Sequence, residues 1–217
     1  AVVPISAGRH IYKREPSFPI AVACDPAFNF VYEANIRYLH HLGEVTYFSP
    51  LADTSLPDAG FVYLPGGYPE LYLAALSANR QMLQSIRRYV ESGGKLLAEC
   101  GGMMYLCDEI RDKNGYVYPM AGVLHQSATM ENMKLRLGYR TLLYNETRLK
   151  GHEFHYSRLV EQQNPLPSCA VAYTAKGVET DTPLYHYKNV WAGYTHLYWA
   201  DPVGNEWFTK FVIDGNT

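Results

Sequence analysis

Residues Lys95–Leu106 have the sequence KLLAECGGMMYL, with Cys100 near the centre. The part that ends at Glu99 is a short apolar run preceded by two glycines, which predicts a buried strand. Gly101 and Gly102 then mark a turn into an apolar segment with helical spacing. A strand, a tight turn and a helix in this order form the elbow on which many enzymes present a nucleophile. A sulfur at that turn would lie at the positive end of a helix, which favours thiolate over thiol.

The alternative interpretation of Cys100 is a buried structural cysteine in a tight joint between a strand and a helix. Free cysteine packs well as a small hydrophobic residue. The two glycines that follow it, however, leave room for a substrate to approach the backbone closely. The elbow by itself leaves both interpretations open.

Composition excludes several classes of protein. The chain has 217 residues, 47% hydrophobic and 18% charged, so we expect one domain with a substantial core. Lys and Arg number 19 against 21 Asp and Glu with no basic run, so we expect no nucleic-acid partner. Without an apolar run of ~20 residues or a signal peptide, we predict no membrane contact and a cytoplasmic location. The four cysteines match no disulfide scaffold or CxxC motif, which is typical of reduced thiols.

Strands and helices alternate through the first half of the chain. The patterns predict strands over 20–24, 44–48, 61–65 and 95–99, and helices over 28–42 and 80–92. This alternation predicts an α/β fold in which a mostly parallel central sheet carries helices on both faces. Residues 1–18 mix Pro, Gly and basic residues without a period, so we interpret them as a linker and 19–217 as the domain.

Aromatic-rich, alternating segments follow residue 110. They predict strands and hairpins that extend the same sheet, over 134–144, 153–159, 170–173, 184–187 and 190–194. Turns are expected at Asn145, Gly151, Gly177 and 164–165. Asp201 followed by Pro202 predicts the cap of a last helix over about 203–213.

The segment Leu64–Leu71 reads LPGGYPEL and places two glycines directly after a predicted strand. Open α/β sheets bind ligands outside the carboxyl ends of their strands, so backbone N–H groups of this turn are candidates for contact with a ligand. A simple turn explains the same residues equally well, because Pro and Gly are the commonest turn formers.

Two segments supply histidines that could serve the elbow cysteine as a base. Gly151–Ser157 reads GHEFHYS and places Glu153 and His155 on one face of a strand, with His152 on the other. It misses the H-E-x-x-H zinc pattern by one residue and lies on a strand, so we predict no metal site. His196 lies at the end of a late strand, where a separate partner can reach an elbow cysteine.

Several segments together resemble the glutamine amidotransferase domain of cobyrinic acid a,c-diamide synthases. They are FSPLAD at 48–53, LPGGYPEL at 64–71, AECGGMMYL at 98–106, GHEFHYS at 151–157 and Tyr-Thr-His at 194–196. The resemblance extends from about residue 20 to the last helix. It implies a flavodoxin-like class I glutamine amidotransferase fold.

The resemblance also implies a function and partners. Enzymes of this family carry an N-terminal ATP-binding domain, from which residues 1–18 would be the linker. ATP and Mg would bind in that N-terminal domain, and no cofactor is expected in the glutamine amidotransferase domain itself. The domain here would hydrolyse glutamine and supply ammonia to amidate the a and c acetate side chains of a corrin ring. The corrin substrate would bind to the ATP-binding domain and not directly to this one.

Site residues follow from the same resemblance. Cys100 would be the nucleophile and His196 the general base, and the backbone N–H groups of Gly67 and Gly101 would form the oxyanion hole. Triad glutaminases usually have a carboxylate two residues after the histidine, whereas this chain has Tyr198. The site is therefore either a Cys-His dyad or one in which another residue orients His196.

Glu153 is the candidate for that orienting group, with a paired strand carboxylate as the alternative. His155 joins it as a candidate for orienting or for binding substrate. Glu99 is a poorer candidate, because it alternates to the opposite side of its strand from Cys100.

Other functions remain open at this stage. Related synthases that act on hydrogenobyrinic acid or nickel-sirohydrochlorin share the architecture. A stand-alone hydrolase would use an elbow cysteine without a partner domain, and a docking module would keep the fold without catalysis.

Overall fold

A computed structural model describes residues 18–214 of the protein, with fifteen strands and five α-helices. The strands are β1 (Phe18–Ala23), β2 (Gly43–Phe48), β3 (Phe61–Leu64), β4 (Lys95–Glu99), β5 (Glu109–Arg111), β6 (Val117–Pro119), β7 (Ser127–Thr129), β8 (Arg136–Tyr144), β9 (Thr147–His155), β10 (Arg158–Leu159), β11 (Val171–Thr174), β12 (Glu179–Thr180), β13 (Leu184–Tyr187), β14 (Val190–Gly193) and β15 (His196–Leu197). The helices are α1 (Glu33–Leu42), α2 (Leu73–Ala78), α3 (Arg80–Glu91), α4 (Gly101–Leu106) and α5 (Pro202–Thr209), with a 3-10 turn at Pro69–Leu71 and a π-helical turn at Lys210–Asp214.

The central sheet has six strands in the order β13-β14-β4-β3-β1-β2. All neighbouring pairs are parallel except the edge pair β13–β14. Parallel strands need crossovers, and helices α1 and α3 provide them where the hydrophobic periodicity predicts helices. The predicted fold class, with its mostly parallel central sheet, is confirmed.

The two faces of the sheet pack against different helices. In β1, Ala21 and Ala23 face the core that α3 and α4 cover, whereas Ile20 and Val22 face the core that α1 and α5 cover. Strand side chains alternate between faces, so one buried strand contributes to both cores. Helices on both faces are therefore confirmed.

Most strands after residue 110 do not extend the central sheet, and that prediction is wrong. Only β13 and β14 join it. The sets β10-β7-β5-β6 and β12-β11-β8-β9-β15 form two further sheets. The five-stranded sheet packs on the α1 and α5 side through Leu142, Leu149 and Ala172. Alternating patterns predict strands, but they do not say which sheet each strand joins.

Helix α1 begins at Glu33 rather than at the predicted residue 28. The carboxylate of Asp25 accepts hydrogen bonds from the backbone N–H groups of Ala27 and Phe28 at 2.8 and 3.2 Å, which closes a turn instead. Phe30 N then donates to Gly66 O at 3.0 Å. The apolar residues before Glu33 thus pack as a loop over the end of β3.

Three further boundaries differ from the prediction. The expected strand over 153–159 is divided between β9 and β10, which belong to different sheets. Gly151 is inside β9, opposite Leu197 of β15, and not in a turn. The last helix is α-helical only to Thr209, although Asp201 caps it as expected, accepting from Gly204 N at 2.7 Å. The predicted linker falls outside the described residues except for Phe18, which already belongs to β1.

Candidate active site

Cys100 lies between β4 and α4 in a backbone conformation that L-residues rarely adopt, with φ 48° and ψ −106°. Its N–H donates to Gly193 O at 2.7 Å, which anchors the turn to β14. A side chain at Gly102 would place its Cβ 2.1 Å from Leu64 O, so only glycine lets α4 approach β3 this closely. The predicted elbow is present, and strained backbone conformations of this kind cluster at active sites.

His196 lies in β15, which pairs with β9 so that His196 is opposite His152. The imidazole lies directly against the backbone of Gly66, where a Cβ would be 2.1 Å from its Cε1 atom. Cys100 and His196 line one small cavity together with Phe30 and Gly67. The structure thus brings together the two residues that the sequence pairs as nucleophile and base.

Two narrow cavities flank the sulfur of Cys100, and a wide groove lies beyond them. Each narrow cavity has a volume of about 10 Å³, whereas the groove has about 600 Å³. His155 and Ser157 line both the groove and one of the narrow cavities. The Sγ atom itself is 4.0 Å from Phe154 O. His155 and Ser157 therefore lie between the groove and a cavity that Cys100 lines.

The two glycines predicted to form the oxyanion hole are neighbours in space. A Cβ on Gly101 would lie 3.2 Å from Gly67 O, and a Cβ on Gly67 would lie 2.1 Å from Ala27 O. The backbone N–H group of Gly101 is hydrogen-bonded to the Cys100 sulfur, and this bond lowers the pKa of the thiol. Both positions are too crowded for any other residue.

The expected stabilisation of a Cys100 thiolate is absent from this closed site. Burial and, to a smaller extent, the nearby Glu70 carboxylate together raise the pKa of the thiol to about 12. The Gly101 N–H lowers this pKa but only partly offsets these effects. Burial and, to a smaller extent, the charges of His152 and His155 together lower the pKa of His196 to about 3. The resting pair is therefore a neutral thiol beside a neutral imidazole.

Glu153 forms an ion pair with Arg140 rather than with His196. Its Oε2 atom is 2.7 Å from Nη2 of Arg140 and 4.0 Å from Nε2 of His155, and the carboxylate is fully buried. The Nδ1 atom of His196 has no hydrogen-bond partner within the described residues. The structure thus favours the alternative for Glu153, a paired strand carboxylate.

His155 lies on the inner face of β9, as the alternation predicts. Its Nδ1 atom is 2.9 Å from Ser157 O, and its ring stacks on Tyr194 with centroids 3.8 Å apart. Burial lowers its pKa. His155 lines both the groove and the cavity beside Cys100. This position is compatible with a role in binding substrate, which stays a prediction.

Sequence reasoning missed three neighbours of the pair. His152 stacks on His196 with centroids 5.1 Å apart, and the Phe30 centroid is 4.5 Å from that of His196. Glu70 lines the cavity beside Cys100. The signal for Glu70 was its place in LPGGYPEL. The position of His152 depends on the register between β9 and β15, which no local pattern gives.

Residues 18–214 contain no group of three or more His, Cys, Asp or Glu side chains arranged to hold a metal ion. Over the same range, no helix is both long enough and apolar enough to cross a bilayer.

Comparison with known sequences identifies the family of the chain. Residues 19–203 match the CobB/CobQ-like glutamine amidotransferase domain. The chain belongs to this family. It is 40% identical over 185 residues to hydrogenobyrinate a,c-diamide synthase of Pseudomonas aeruginosa, covering 82% of this chain and 41% of that protein. It is 38% identical over 210 residues to cobyrinate a,c-diamide synthase of Clostridium acetobutylicum, covering 92% of this chain and 46% of that protein. The chain thus spans less than half the length of these relatives.

Solved structures show the same fold at low sequence identity. A glutamine amidotransferase crystal structure matches with a TM-score of 0.57 at 17% identity, covering 89% of this chain and 98% of that one. PurLQS from Thermotoga maritima also matches with a TM-score of 0.57, at 16% identity, covering 91% and 96%. The class I glutamine amidotransferase fold is thereby confirmed.

Proposed function

We propose that this domain hydrolyses glutamine through a thioester on Cys100. The observation that carries the proposal is the strained elbow conformation of Cys100 in a cavity that His196 also lines. Membership of a glutamine amidotransferase family supports the choice of substrate.

The neutral resting pair sets the order of proton transfers. As the Cys100 sulfur attacks the side-chain amide carbon of glutamine, its proton passes to His196. The oxyanion that forms is bound by the N–H groups of Gly101 and Gly67. The C–N bond then breaks, and His196 returns the proton to the departing ammonia. Water, deprotonated by His196, finally hydrolyses the thioester to glutamate and free thiol.

The groove beyond His155 supports an amino acid as the substrate. It is lined by charges of both signs: Arg136 and Asp181 are paired with each other, whereas Arg158 and Glu161 suit the carboxylate and ammonium groups of glutamine. The buried Nε2 atom of Gln126 in the same groove has no hydrogen-bond partner. An unpaired buried donor is costly unless a ligand satisfies it.

The test is to incubate the domain with glutamine and measure ammonia and glutamate, with a glutamine-analogue electrophile as a covalent probe. Labelling of Cys100 that glutamine protects, together with turnover, supports the proposal if both are lost in Cys100→Ala. Labelling with little turnover indicates that the site requires its synthetase partner. A folded protein with neither result contradicts the proposal and favours a docking module. Cys24, which is exposed, is the internal control for unspecific labelling.

We further propose that the ammonia serves an ATP-dependent synthetase domain that amidates the a and c acetate groups of cobyrinate. Relatives named cobyrinate a,c-diamide synthase are more than twice as long as the segment that matches this chain. Hydrogenobyrinate is the alternative substrate, since the Pseudomonas aeruginosa relative carries that name.

The outward face of β8 and β9 is where we expect that domain to contact this one. Leu137 is 60% exposed and Tyr139 is 74% exposed, and they are paired across the ladder with Phe154 and His152. Tyr156, on the same side as Phe154, lines the cavity of Cys100. Exposed apolar side chains beside a cavity are typical of an interaction surface, and ammonia released there would pass directly to the partner.

A chimera tests both parts, with this chain replacing the matching segment of the Clostridium acetobutylicum relative. Amidation of cobyrinate is measured with glutamine or with ammonium chloride as the nitrogen source. Leu137→Glu with Tyr139→Lys should reduce the glutamine-dependent rate alone. Tyr116→Lys, at another exposed tyrosine, is the control and should change neither rate. Equal losses with both nitrogen sources would contradict the proposed contact.

A further inference from the structure

The imidazole of His196 is held without a hydrogen bond to Nδ1. This buried nitrogen has no partner among the described residues, and Tyr198 occupies the position where triad glutaminases usually have an orienting carboxylate. A general base must nevertheless present one nitrogen to the nucleophile in a fixed direction. Some other group has to hold the ring.

Three groups enclose the His196 ring. The ring of His152 stacks on it at 5.1 Å between centroids, with 21° between the planes. Phe30 lies 4.5 Å from His196 and 5.3 Å from His152, inclined to both at about 60°. The backbone of Gly66 closes a further side, since a Cβ there would lie 2.1 Å from Cε1. Ring contacts of this kind resist rotation of the side chain.

His152 is itself anchored. The Nδ1 atom of His152 is hydrogen-bonded to the Tyr32 hydroxyl, directly before α1. Buried Asn35 in α1 donates to Leu197 O at 2.8 Å and accepts from Trp199 N at 2.9 Å. Helix α1 therefore holds the backbone beside His196 and, through Tyr32, the ring stacked on it.

The stacked geometry excludes a proton relay between the two histidines. A hydrogen bond between imidazoles needs the nitrogen of one ring in the plane of the other, along the lone pair. Here the rings present their faces to each other. The contact can fix an orientation but cannot pass a proton.

We propose that His152 is a positioning residue, whose ring, anchored by Tyr32 and packed on Phe30, orients His196 in place of a carboxylate. The inference rests on the proposed glutaminase function, because orientation matters only where His196 moves a proton. It predicts that the shape of the residue at position 152 matters more than its nitrogens.

The test compares His152→Ala, which removes the ring, with His152→Phe, which keeps one. We expect kcat of His152→Ala to fall by about 100-fold, with the KM for glutamine changed by less than about twofold. His152→Phe should retain kcat to within about fivefold, because the stacking surface is preserved. Tyr32→Phe breaks the same hydrogen bond that His152→Phe loses and keeps both rings, so it should also retain kcat to within about fivefold. His186→Ala is the matched control, since it removes a histidine stacked on Trp191 at 4.3 Å and should leave kcat unchanged.

Three outcomes overturn the inference. Equal losses in His152→Ala and His152→Phe would mean that the imidazole chemistry is required. Unchanged kcat in both would mean that the ring is dispensable. A rise in KM alone would assign His152 to substrate binding. If His152→Ala does not fold, as judged by circular dichroism, Phe30→Leu takes its place, with an expected loss of about tenfold in kcat.

Nuclear magnetic resonance separates this inference from the proposed function. The Cε1 proton of His196 lies among aromatic rings, so its resonance reports the orientation of the imidazole without any turnover. It should move toward the random-coil position in His152→Ala and stay near the wild-type position in His152→Phe. A folded wild type with this pattern but with neither turnover nor glutamine-protected labelling of Cys100 would refute the glutaminase proposal alone. If the wild type is active and neither substitution shifts the His196 resonance, the positioning role alone is refuted.

Discussion

The Tyr63 hydroxyl donates a 2.7 Å hydrogen bond to Oε2 of Glu99, and both side chains are buried beneath the elbow. The other carboxylate oxygen accepts from Leu197 N at 3.1 Å. Glu99 therefore connects the strand before the nucleophile to the strand that carries the base. As expected from the alternation, it does not contact His196 and holds only the backbone beside it.

The pH dependence of stability should reveal this carboxyl group. Burial raises the pKa of Glu99 from 4.5 to about 8, against the opposing effect of its two hydrogen bonds. The folded protein keeps this proton where the unfolded chain releases it. The contribution of Glu99 is therefore fully present below pH 4.5 and is lost as the pH rises through 8. In that window the free energy of unfolding should fall by up to about 1.4 kcal/mol per pH unit.

Urea unfolding of wild type and Glu99→Gln at several pH values checks this expectation. The glutamine variant has no proton to lose, so its curve should be flatter over the window and cross that of wild type. Glu206→Gln, at an exposed helix position, is the control. Parallel curves for wild type and Glu99→Gln would contradict a raised pKa.

The elbow could be predicted from sequence because its determinants are local. A strand pattern, a cysteine and two glycines occupy consecutive positions, and the crowding at Gly102 explains why no larger residue is found there. The boundaries of β2, β3 and α3 were predicted to within one residue for the same reason. The start of α1 was missed because the Asp25 side chain competes for backbone N–H groups that a helix would use.

The surroundings of His196 could not be predicted in the same way. Its neighbours Phe30 and His152 come from a loop and from another sheet, and their approach depends on the pairing of His196 with His152. Alternation along β9 correctly separates His152 from Glu153. It cannot tell which face meets the base, because that depends on where β15 joins the sheet.

Gly66→Ala should reduce activity without unfolding the protein. The added methyl group would meet Cε1 of His196 at 2.1 Å, so the imidazole must leave its present position beside Cys100. We expect a loss of about 100-fold in kcat for glutamine hydrolysis, which steady-state kinetics would measure. Gly177→Ala is the control, because it strains a positive φ in open space. It should lower stability and leave kcat unchanged; equal effects of the two variants on kcat would contradict the expectation.

Alkylation of Cys100 should be slow and strongly dependent on pH. With a thiol pKa of about 12, the thiolate fraction at pH 7 to 9 is small and rises about tenfold per pH unit. Iodoacetamide labelling followed by mass spectrometry should show this slope, with exposed Cys24 labelled faster. Because the Glu70 carboxylate raises the Cys100 pKa, Glu70→Gln should accelerate labelling by at least about twofold.

Glu109→Gln is the control for that effect, since Glu109 pairs with Arg111 at 2.9 Å and does not line the cavity. Labelling of Cys100 that is independent of pH between 7 and 9 would mean that the thiolate is already formed. In that case His196 would not need to accept the thiol proton in the first step.

The ion pair between Arg140 and Glu153 should be the most sensitive charge interaction in the five-stranded sheet. Glu153 is fully buried and Arg140 is 10% exposed, so Arg140→Met leaves a carboxylate without its partner inside the protein. Breaking a buried pair in this way costs about 3 to 5 kcal/mol, whereas replacing both partners by apolar residues is often neutral. We therefore expect Arg140→Met with Glu153→Leu to recover most of the stability that Arg140→Met loses in urea unfolding. Arg37→Met, which removes an exposed pair with Glu33, should leave the midpoint unchanged. Losses that simply add in the double variant would show that the two side chains act independently, and β9 would then depend on other contacts to hold His152 and His155 beside Cys100.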